Sequence, residues 1–167
     1  MIDVLRSFIF NSRLTEEIKF NLIEITDELK KKVKKLGSKS IAIREIDAGS
    51  TNNCEHEITA LENPIYDLNR FGIKTVASPR HADMLLITGP VTQGMKAALI
   101  KAYEACPEPK IVIAVGDGAI SGRICAQIAG SKVSKLSDCV PIDLEIPGDP
   151  PNPEKIIKTL LGILEHA

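Results

Sequence analysis

Two short segments of this chain consist of apolar residues and a single threonine: "MLLIT" at Met84–Thr88 and "IVIAV" at Ile111–Val115. Strands buried on both faces have this composition, because helices cover both sides of a parallel sheet. Segments around them, such as "AALIKAY" and "KIIKTLLGIL", instead place apolar residues at helical spacing. The alternation predicts a parallel sheet with helices packed on each face.

The fold class that follows is α/β: a three-layer, doubly wound, flavodoxin-like parallel sheet with an N-terminal helical extension. We divide the chain into a helical docking segment, residues 1–37, and an α/β domain, residues 38–167. The predicted strands are Ile41–Ile46, Ile73–Ala77, Met84–Thr88, Ile111–Val115 and Pro141–Ile146. The predicted helices are Leu14–Leu36, Thr59–Phe71, Val91–Ala105, Ser121–Gly130 and Pro153–Glu165.

Charge and hydropathy narrow the possible partners. The 167 residues include 21 basic and 22 acidic side chains. The chain therefore lacks the net positive charge that would favour binding to nucleic acid. No apolar run approaches the roughly 18 residues of a membrane span, and the N-terminus lacks a secretory pattern. We therefore expect a cytoplasmic protein, or a peripheral one on the cytoplasmic face of a membrane.

The four cysteines are far apart and never form a CxxC pair, so we expect free thiols. In an open parallel sheet, ligands bind at the carboxyl ends of the strands. We assign five loops to that edge: Asp47–Ile58, Ser78–Asp83, Gly89–Gly94, Gly116–Gly122 and Pro147–Pro153. Cys106 and Cys139 precede strands and belong to the opposite edge, and Cys125 lies within a predicted helix. Only Cys54 is expected at the functional edge.

The loops at this edge carry a family resemblance. "DAGSTNNCEHEI" resembles a segment with a CNxC core, "SPRHADMLLITGPVT" is close to a second signature, and "AVGD" and "IPGDPPNPE" resemble GDC and PGCPP loops. From about Ser40 to Glu154 the chain thus resembles the small subunit of membrane-bound, energy-converting nickel-iron hydrogenases. The same resemblance extends to its homologue in respiratory complex I, the subunit that carries the cluster next to the quinone site.

In that family four cysteines hold a 4Fe-4S cluster. Carried over position by position, the ligands fall on Thr51, Cys54, Gly118 and Asp149, so only Cys54 retains a thiol. Glycine offers no ligand and a hydroxyl is a poor one for iron. The resemblance therefore implies a degenerate cluster site, and we expect the cofactor to be lost. A mixed site for a divalent metal, built from Cys54, Glu55, His56, Glu57, Asp117 and Asp149, stays open as an alternative. The two glutamates also suit the start of a helix, where acidic side chains interact favourably with the helix dipole.

The resemblance also implies a partner, the large, catalytic-type subunit of a hydrogenase or complex I-like assembly. We assign Glu57, Arg80 and His81 to that interface. Three functions then compete. The first is a non-catalytic, structural or redox-impaired subunit of such a complex, and the second is an electron-transfer subunit that keeps a cluster by atypical ligands. The third is a stand-alone domain that binds a small ligand or metal.

Overall fold

The computed structural model describes residues 26–37, 40–122 and 133–165. These residues form a five-stranded parallel sheet and a separate antiparallel pair of two-residue strands. The strands are β1 Ile41–Asp47, β2 Ile73–Thr75, β3 Met84–Thr88, β4 Val91–Thr92, β5 Ile111–Val115, β6 Val133–Ser134 and β7 Leu144–Ile146. The order in the parallel sheet is β2-β1-β3-β5-β7, and β4 pairs with β6. The helices are α1 Asp27–Leu36, α2 Asn53–Ala60, α3 Gln93–Ala105, α4 Asp117–Ser121 and α5 Pro153–Leu164. The predicted α/β class with a parallel sheet is confirmed.

Helices cover both faces of the sheet, as the all-apolar strands predict. On one face, Ile43, Leu86 and Ile113 pack with residues of α1, α2 and α5. On the other face, Leu85, Ile87 and Val112 pack with residues of α3 and the turn after β6. The core strands β3 and β5 are buried at every position. Because the register pairs Met84 with Ile111 and Thr88 with Val115, these two strands also begin and end together.

Two aspartates hold the amino edge of the sheet together. Asp83, one residue before β3, donates its N–H to the carbonyl of Ala42 and accepts the Ala42 N–H through its carboxylate at 2.8 Å. Asp143, one residue before β7, bonds the backbone of Val112 in the same two ways. Its second carboxylate oxygen lies 2.6 Å from the ammonium of Lys32 on α1. Strand starts that would expose N–H groups are thus satisfied by the neighbouring strand's aspartate.

The helix α1 belongs to the core of the α/β body. Thr26 caps its start by accepting the N–H of Leu29, and Gly37 ends it in a left-handed conformation. Leu29 and Val33 are buried against the sheet. The predicted helix Leu14–Leu36 lies before residue 26 for most of its length, outside the described residues. A docking role for residues 1–37 remains a prediction.

Several predicted element boundaries are wrong. The predicted helix Thr59–Phe71 is instead α2, which begins at Asn53, and a short 3-10 turn at Leu68–Phe71. The side chain of Asn63 accepts the N–H groups of Ile65 and Tyr66, and this turn replaces the helical hydrogen bonds. The helix predicted at Ser121–Gly130 lies almost entirely outside the described residues; just before it, α4 spans Asp117–Ser121 and ends at Gly122, whose φ is 68°.

Three further boundaries are also corrected. The strand predicted at Ile73–Ala77 ends at Thr75, and the one predicted at Pro141–Ile146 begins at Leu144. At the start of the predicted helix Val91–Ala105, two residues form β4, and the helix begins at Gln93. The residues at the ends of these predicted elements instead hydrogen-bond to a neighbouring strand or belong to a turn.

The prediction that the loop Ser78–Asp83 joins the carboxyl edge is also wrong. β2 is only three residues long and ends opposite Ile43, near the start of β1. The chain then returns to Asp83, which pairs with Ala42. Both ends of the loop are therefore fixed at the amino half of β1, and the loop contacts the helix α3.

Candidate functional site at the carboxyl edge

A small pocket lies where β1, β3, β5 and β7 end. It brings together the four positions that correspond to the family's cluster ligands, and its lining residues are Ser50, Thr51, Cys54, Gly89, Pro90, Gly118 and Asp149. The sequence predicted this meeting point, because parallel strands present the loops at their carboxyl ends to a common edge. The pocket has room for about one water molecule.

The loop after β1 is shaped by its own hydrogen bonds. The Asp47 carboxylate accepts the N–H groups of Gly49 and Ser50 at 2.7 and 2.8 Å. The Ala48 N–H donates to the carbonyl of Thr88, which joins this loop to the end of β3. These protein hydrogen bonds shape the wall of the pocket that contains Thr51.

The other two loops hold each other through Asp117. Its N–H donates to the carbonyl of Gly148 at 2.8 Å, and its carboxylate accepts the Gly148 N–H at 2.9 Å. The Gly116 N–H donates to the carbonyl of Ile146 at 2.9 Å. We call this set of three bonds the Asp117 clamp. It fixes Gly118 and Asp149 relative to each other.

Cys54 lies in the first turn of α2 and is buried against Gly116. A Cβ atom at position 116 would lie 2.6 Å from the Cys54 sulfur, and the φ of Gly116 is +92°, so only glycine fits there. Burial, and then the carboxylates of Glu55, Asp149, Asp117 and Glu57, raise the pKa of the Cys54 thiol to about 11. The thiol is consequently protonated at neutral pH.

These residues do not fit a 4Fe-4S cluster. A cubane needs four thiolates, and the set offers one thiol, the hydroxyl of Thr51, no side chain at Gly118 and the carboxylate of Asp149. In residues 26–37, 40–122 and 133–165, no group of three or more His, Cys, Asp and Glu side chains is placed to hold a metal ion.

The three residues assigned to a partner interface do not share one surface. Glu57 is half-buried on α2 and raises the pKa of Cys54, so it lies near the pocket. Arg80 and His81 are exposed in the 3-10 turn Pro79–His81, on the loop fixed at the amino half of β1. A role in partner binding remains a prediction for all three.

The cysteines separate as predicted. Cys106 is buried with its thiol 3.1 Å from the carbonyl of Ala82, beside the amino edge of the sheet. Cys139 is half-buried and packs on the face that contains Leu85 and Val112. Neither is near Cys54. Cys125 lies outside the described residues.

Some structurally important residues were not predicted. Asp83 and Asp143 each stand immediately before a strand of the sheet, and this repeated position was a signal for their edge-capping role. Asp117 was weighed only as a metal ligand. Glu55, predicted as a helix-capping acid, is buried instead, and its Oε1 accepts a hydrogen bond from the hydroxyl of Thr88. A buried carboxyl at the start of a helix has no distinctive sequence signal.

Residues 52–163 match the sequence profile of a family described as "NADH ubiquinone oxidoreductase, 20 Kd subunit". The chain belongs to this family. It is 42% identical to the probable membrane-bound hydrogenase subunit mbhJ of Pyrococcus furiosus, over 72% of this chain and 71% of mbhJ. It is 41% identical to formate hydrogenlyase subunit 7 of Escherichia coli, over 83% of this chain but 53% of that protein. The chain thus spans about half the length of the latter relative.

A solved structure supports the same family. One chain of the membrane-bound sulfane sulfur reductase, an archaeal respiratory membrane complex, matches 77% of this chain and 72% of its own length, with 36% identity and a TM-score of 0.64. None of the helices in the described part of this chain has the length and apolarity needed to cross a bilayer.

Proposed function

We propose that this chain is a non-catalytic subunit of a membrane-associated oxidoreductase complex of the hydrogenase or complex I type, and that it no longer carries the family's cluster. Two relatives are named as subunits of hydrogen-metabolising enzymes, and the matching solved chain belongs to a respiratory membrane complex. The subunit is peripheral, on the cytoplasmic face, and its partner is a large, catalytic-type subunit.

The observation that carries this proposal is a set of hydrogen-bonded loops around a pocket in which three of the family's four cysteine ligands are replaced. The Asp47 turn and the Asp117 clamp hold the loops, yet Thr51, Gly118 and Asp149 supply no thiolate. These loops lie at the carboxyl edge of the sheet, where the family holds its cluster. Rigid loops suit docking to a partner, because preorganised loops lose little entropy on binding. The chain therefore serves as a shaped contact surface for its partner.

The cofactor part is tested on the isolated full chain. After anaerobic treatment with iron and sulfide, we expect well under one iron per chain, measured together with acid-labile sulfide and electron paramagnetic resonance. The variant with Thr51→Cys, Gly118→Cys and Asp149→Cys is the positive control and should hold about four irons. Its Gly118→Cys change requires Pro90 to move slightly, since a Cβ there would lie 3.2 Å from the proline ring. About four irons in the unchanged chain would overturn the proposed loss and favour an electron-transfer subunit with atypical ligands.

The assembly part is tested by affinity purification from the native organism. We expect a large subunit of hydrogenase or complex I type in about equal amount. Glu57→Lys, beside the pocket, should weaken this assembly, because a mispaired charge in an interface costs about 2 to 5 kcal/mol. Arg80→Glu should do the same only if the partner also covers the loop at the amino half of β1. Lys158→Gln, a change at a partly exposed residue of α5, is the control. A stable monomer in every preparation would favour a stand-alone domain.

A further inference from the structure

The outer face of the helix α1 carries three lysines. The helix places Leu29 and Val33, one turn apart, against the core of the α/β body. Residues 31, 34 and 35 share the opposite side of the helix, because side chains three and four positions apart are neighbours on its surface. Lys31, Lys34 and Lys35 are all exposed. We call these three side chains the lysine face.

The other two lysines of α1 have acidic partners. The ammonium of Lys32 lies 2.6 Å from the carboxylate of Asp143, and the ammonium of Lys30 lies 3.7 Å from that of Asp27. Within the described residues, no member of the lysine face forms an ion pair. The three ammonium groups of this face are therefore available to an anionic surface.

The helix dipole accounts for only part of this charge. Lys34 and Lys35 lie in the last turn of α1, where cations interact favourably with the dipole, but Lys31 lies one turn earlier. Asp27 and Glu28 occupy the first turn, so the acidic and basic ends of the outer face are separate. The second half of the outer face thus presents three positive charges together.

The lysine face lies away from the pocket. Lys32, next to Lys31 in the chain, pairs with Asp143 at the amino edge of the sheet. Gly37 ends α1 shortly before β1 begins at Ile41, which is also at the amino edge. The pocket lies at the carboxyl edge, where the proposed partner docks. A contact through the lysine face therefore leaves the pocket accessible.

Burial of the apolar side of α1 decides what kind of surface this helix can contact. Leu29 and Val33 are 1% and 0% exposed, so neither is available to insert into a bilayer or an apolar groove. The remaining means of contact is charge. The proposed function puts the chain on the cytoplasmic face of a membrane, where anionic headgroups attract clustered lysines.

We propose that the lysine face binds the anionic lipid headgroups of that membrane, which makes α1 the membrane-facing side of the subunit. This inference rests on the proposed function, since it requires the chain to work beside a bilayer. The contact is electrostatic and involves no insertion, so salt weakens it. Each lysine strengthens the binding about fivefold.

The test is co-sedimentation of the full chain with vesicles made of equal parts of phosphatidylglycerol and phosphatidylcholine. We expect binding at ~0.01 M salt and its loss at ~1 M salt, because the screening length falls from about 30 to about 3 Å. The variant with Lys31→Gln, Lys34→Gln and Lys35→Gln should bind about a hundredfold more weakly. Arginine at the same three positions should preserve binding, since it keeps the charge.

The matched control removes the same charge elsewhere. It combines Lys74→Gln on β2 with Lys96→Gln and Lys101→Gln on α3, all at exposed residues. This variant should bind the anionic vesicles as the unchanged chain does, which separates the lysine face from net charge. Circular dichroism verifies that every variant is folded.

Three results would overturn the inference. The unchanged chain fails to bind the anionic vesicles at low salt, or the glutamine variant of the lysine face binds as tightly as the matched control. In the third, vesicles of phosphatidylcholine alone bind the chain equally well, which assigns the contact to apolar residues. If the unchanged chain ignores vesicles and the glutamine variant loses its large subunit in the assembly experiment, the lysine face binds an acidic protein surface instead.

The vesicle and assembly experiments fail separately. Vesicle binding is measured on the isolated chain, so its absence counts against the lysine face and leaves the proposed partner in place. A chain that binds anionic vesicles through the lysine face but purifies without a large subunit would count against the partner alone.

Discussion

The two edges of the sheet use aspartates differently. At the amino edge, Asp83 and Asp143 each exchange two hydrogen bonds with a backbone residue of the neighbouring strand, and Asp143 also pairs with Lys32. At the carboxyl edge, Asp117 is engaged in the same manner, but Asp149 is exposed and lines the pocket, and Oε2 of Glu55 has no hydrogen-bond partner among the described residues. The aspartates of the amino edge are thus occupied by hydrogen bonds within the protein. At the carboxyl edge, Asp149 and Oε2 of Glu55 remain available for further hydrogen bonds. A surface that binds a partner or a ligand needs polar groups that are available in this way.

The largest expected effect tests whether the carboxyl edge is held by the protein itself. Gly116→Ala would place a methyl group 2.6 Å from the Cys54 sulfur at a φ of +92°. We expect a loss of about 3 kcal/mol in the free energy of unfolding, measured with urea. Gly94→Ala on α3 is the control, since nothing lies within 4 Å of its Cβ position and alanine favours helix. A Gly116→Ala protein of unchanged stability would show that the loop around Cys54 is loosely held.

The second prediction contrasts the edges directly. Asp143→Ala leaves the Val112 N–H without its acceptor and removes the Lys32 ion pair, so we expect about 2 kcal/mol of destabilisation. Asp149→Ala removes an exposed carboxylate and should cost less than about 0.5 kcal/mol. Thermal and urea unfolding of the two variants provide the measurement. Equal losses in the free energy of unfolding would contradict the idea that hydrogen bonds within the protein occupy the aspartates of the amino edge but not Asp149.

The smallest expected effect concerns pH. The folded pKa of Glu45 is raised from 4.5 to about 7, so the folded chain binds this proton more tightly than the unfolded chain. The resulting stability is complete below pH 4.5 and is lost as the pH rises through about 7. Because Glu45 is only half-buried, solvent screening reduces the effect to about 1 kcal/mol. Urea unfolding between pH 5 and 8 should show this decline in the parent but not in Glu45→Gln, and parallel curves would refute it.

The parts of the fold that sequence could predict are those with a strong local pattern. The strands Met84–Thr88 and Ile111–Val115 were correct to the residue, because both faces are buried and every position is constrained. The helix predicted at Thr59–Phe71 failed, because the Asn63 turn overrides a weak helical pattern. Local hydrogen bonds from one asparagine decided the outcome.

For the site, the sequence predicted which loops meet but not how they are held. The rule for parallel sheets brought Thr51, Cys54, Gly118 and Asp149 together. The same rule placed the loop Ser78–Asp83 at the wrong edge. β2 ends after three residues, and its length depends on tertiary contacts that no local sequence pattern shows. The pairing of Asp117 with Gly148 depends on β7 lying beside β5, and the hydrogen bond from Thr88 to Glu55 depends on how α2 packs over β3. Neither adjacency is encoded in a local pattern.

The Asp117 clamp has an evolutionary consequence. It ties the loops that contain residues 118 and 149 through backbone groups and one carboxylate, none of which belongs to a ligand position. A cysteine at either position can therefore be exchanged without loosening the neighbouring loop. A lineage that no longer needs the cluster can lose its ligands one substitution at a time, and each intermediate still folds and still presents the same shape to its neighbours.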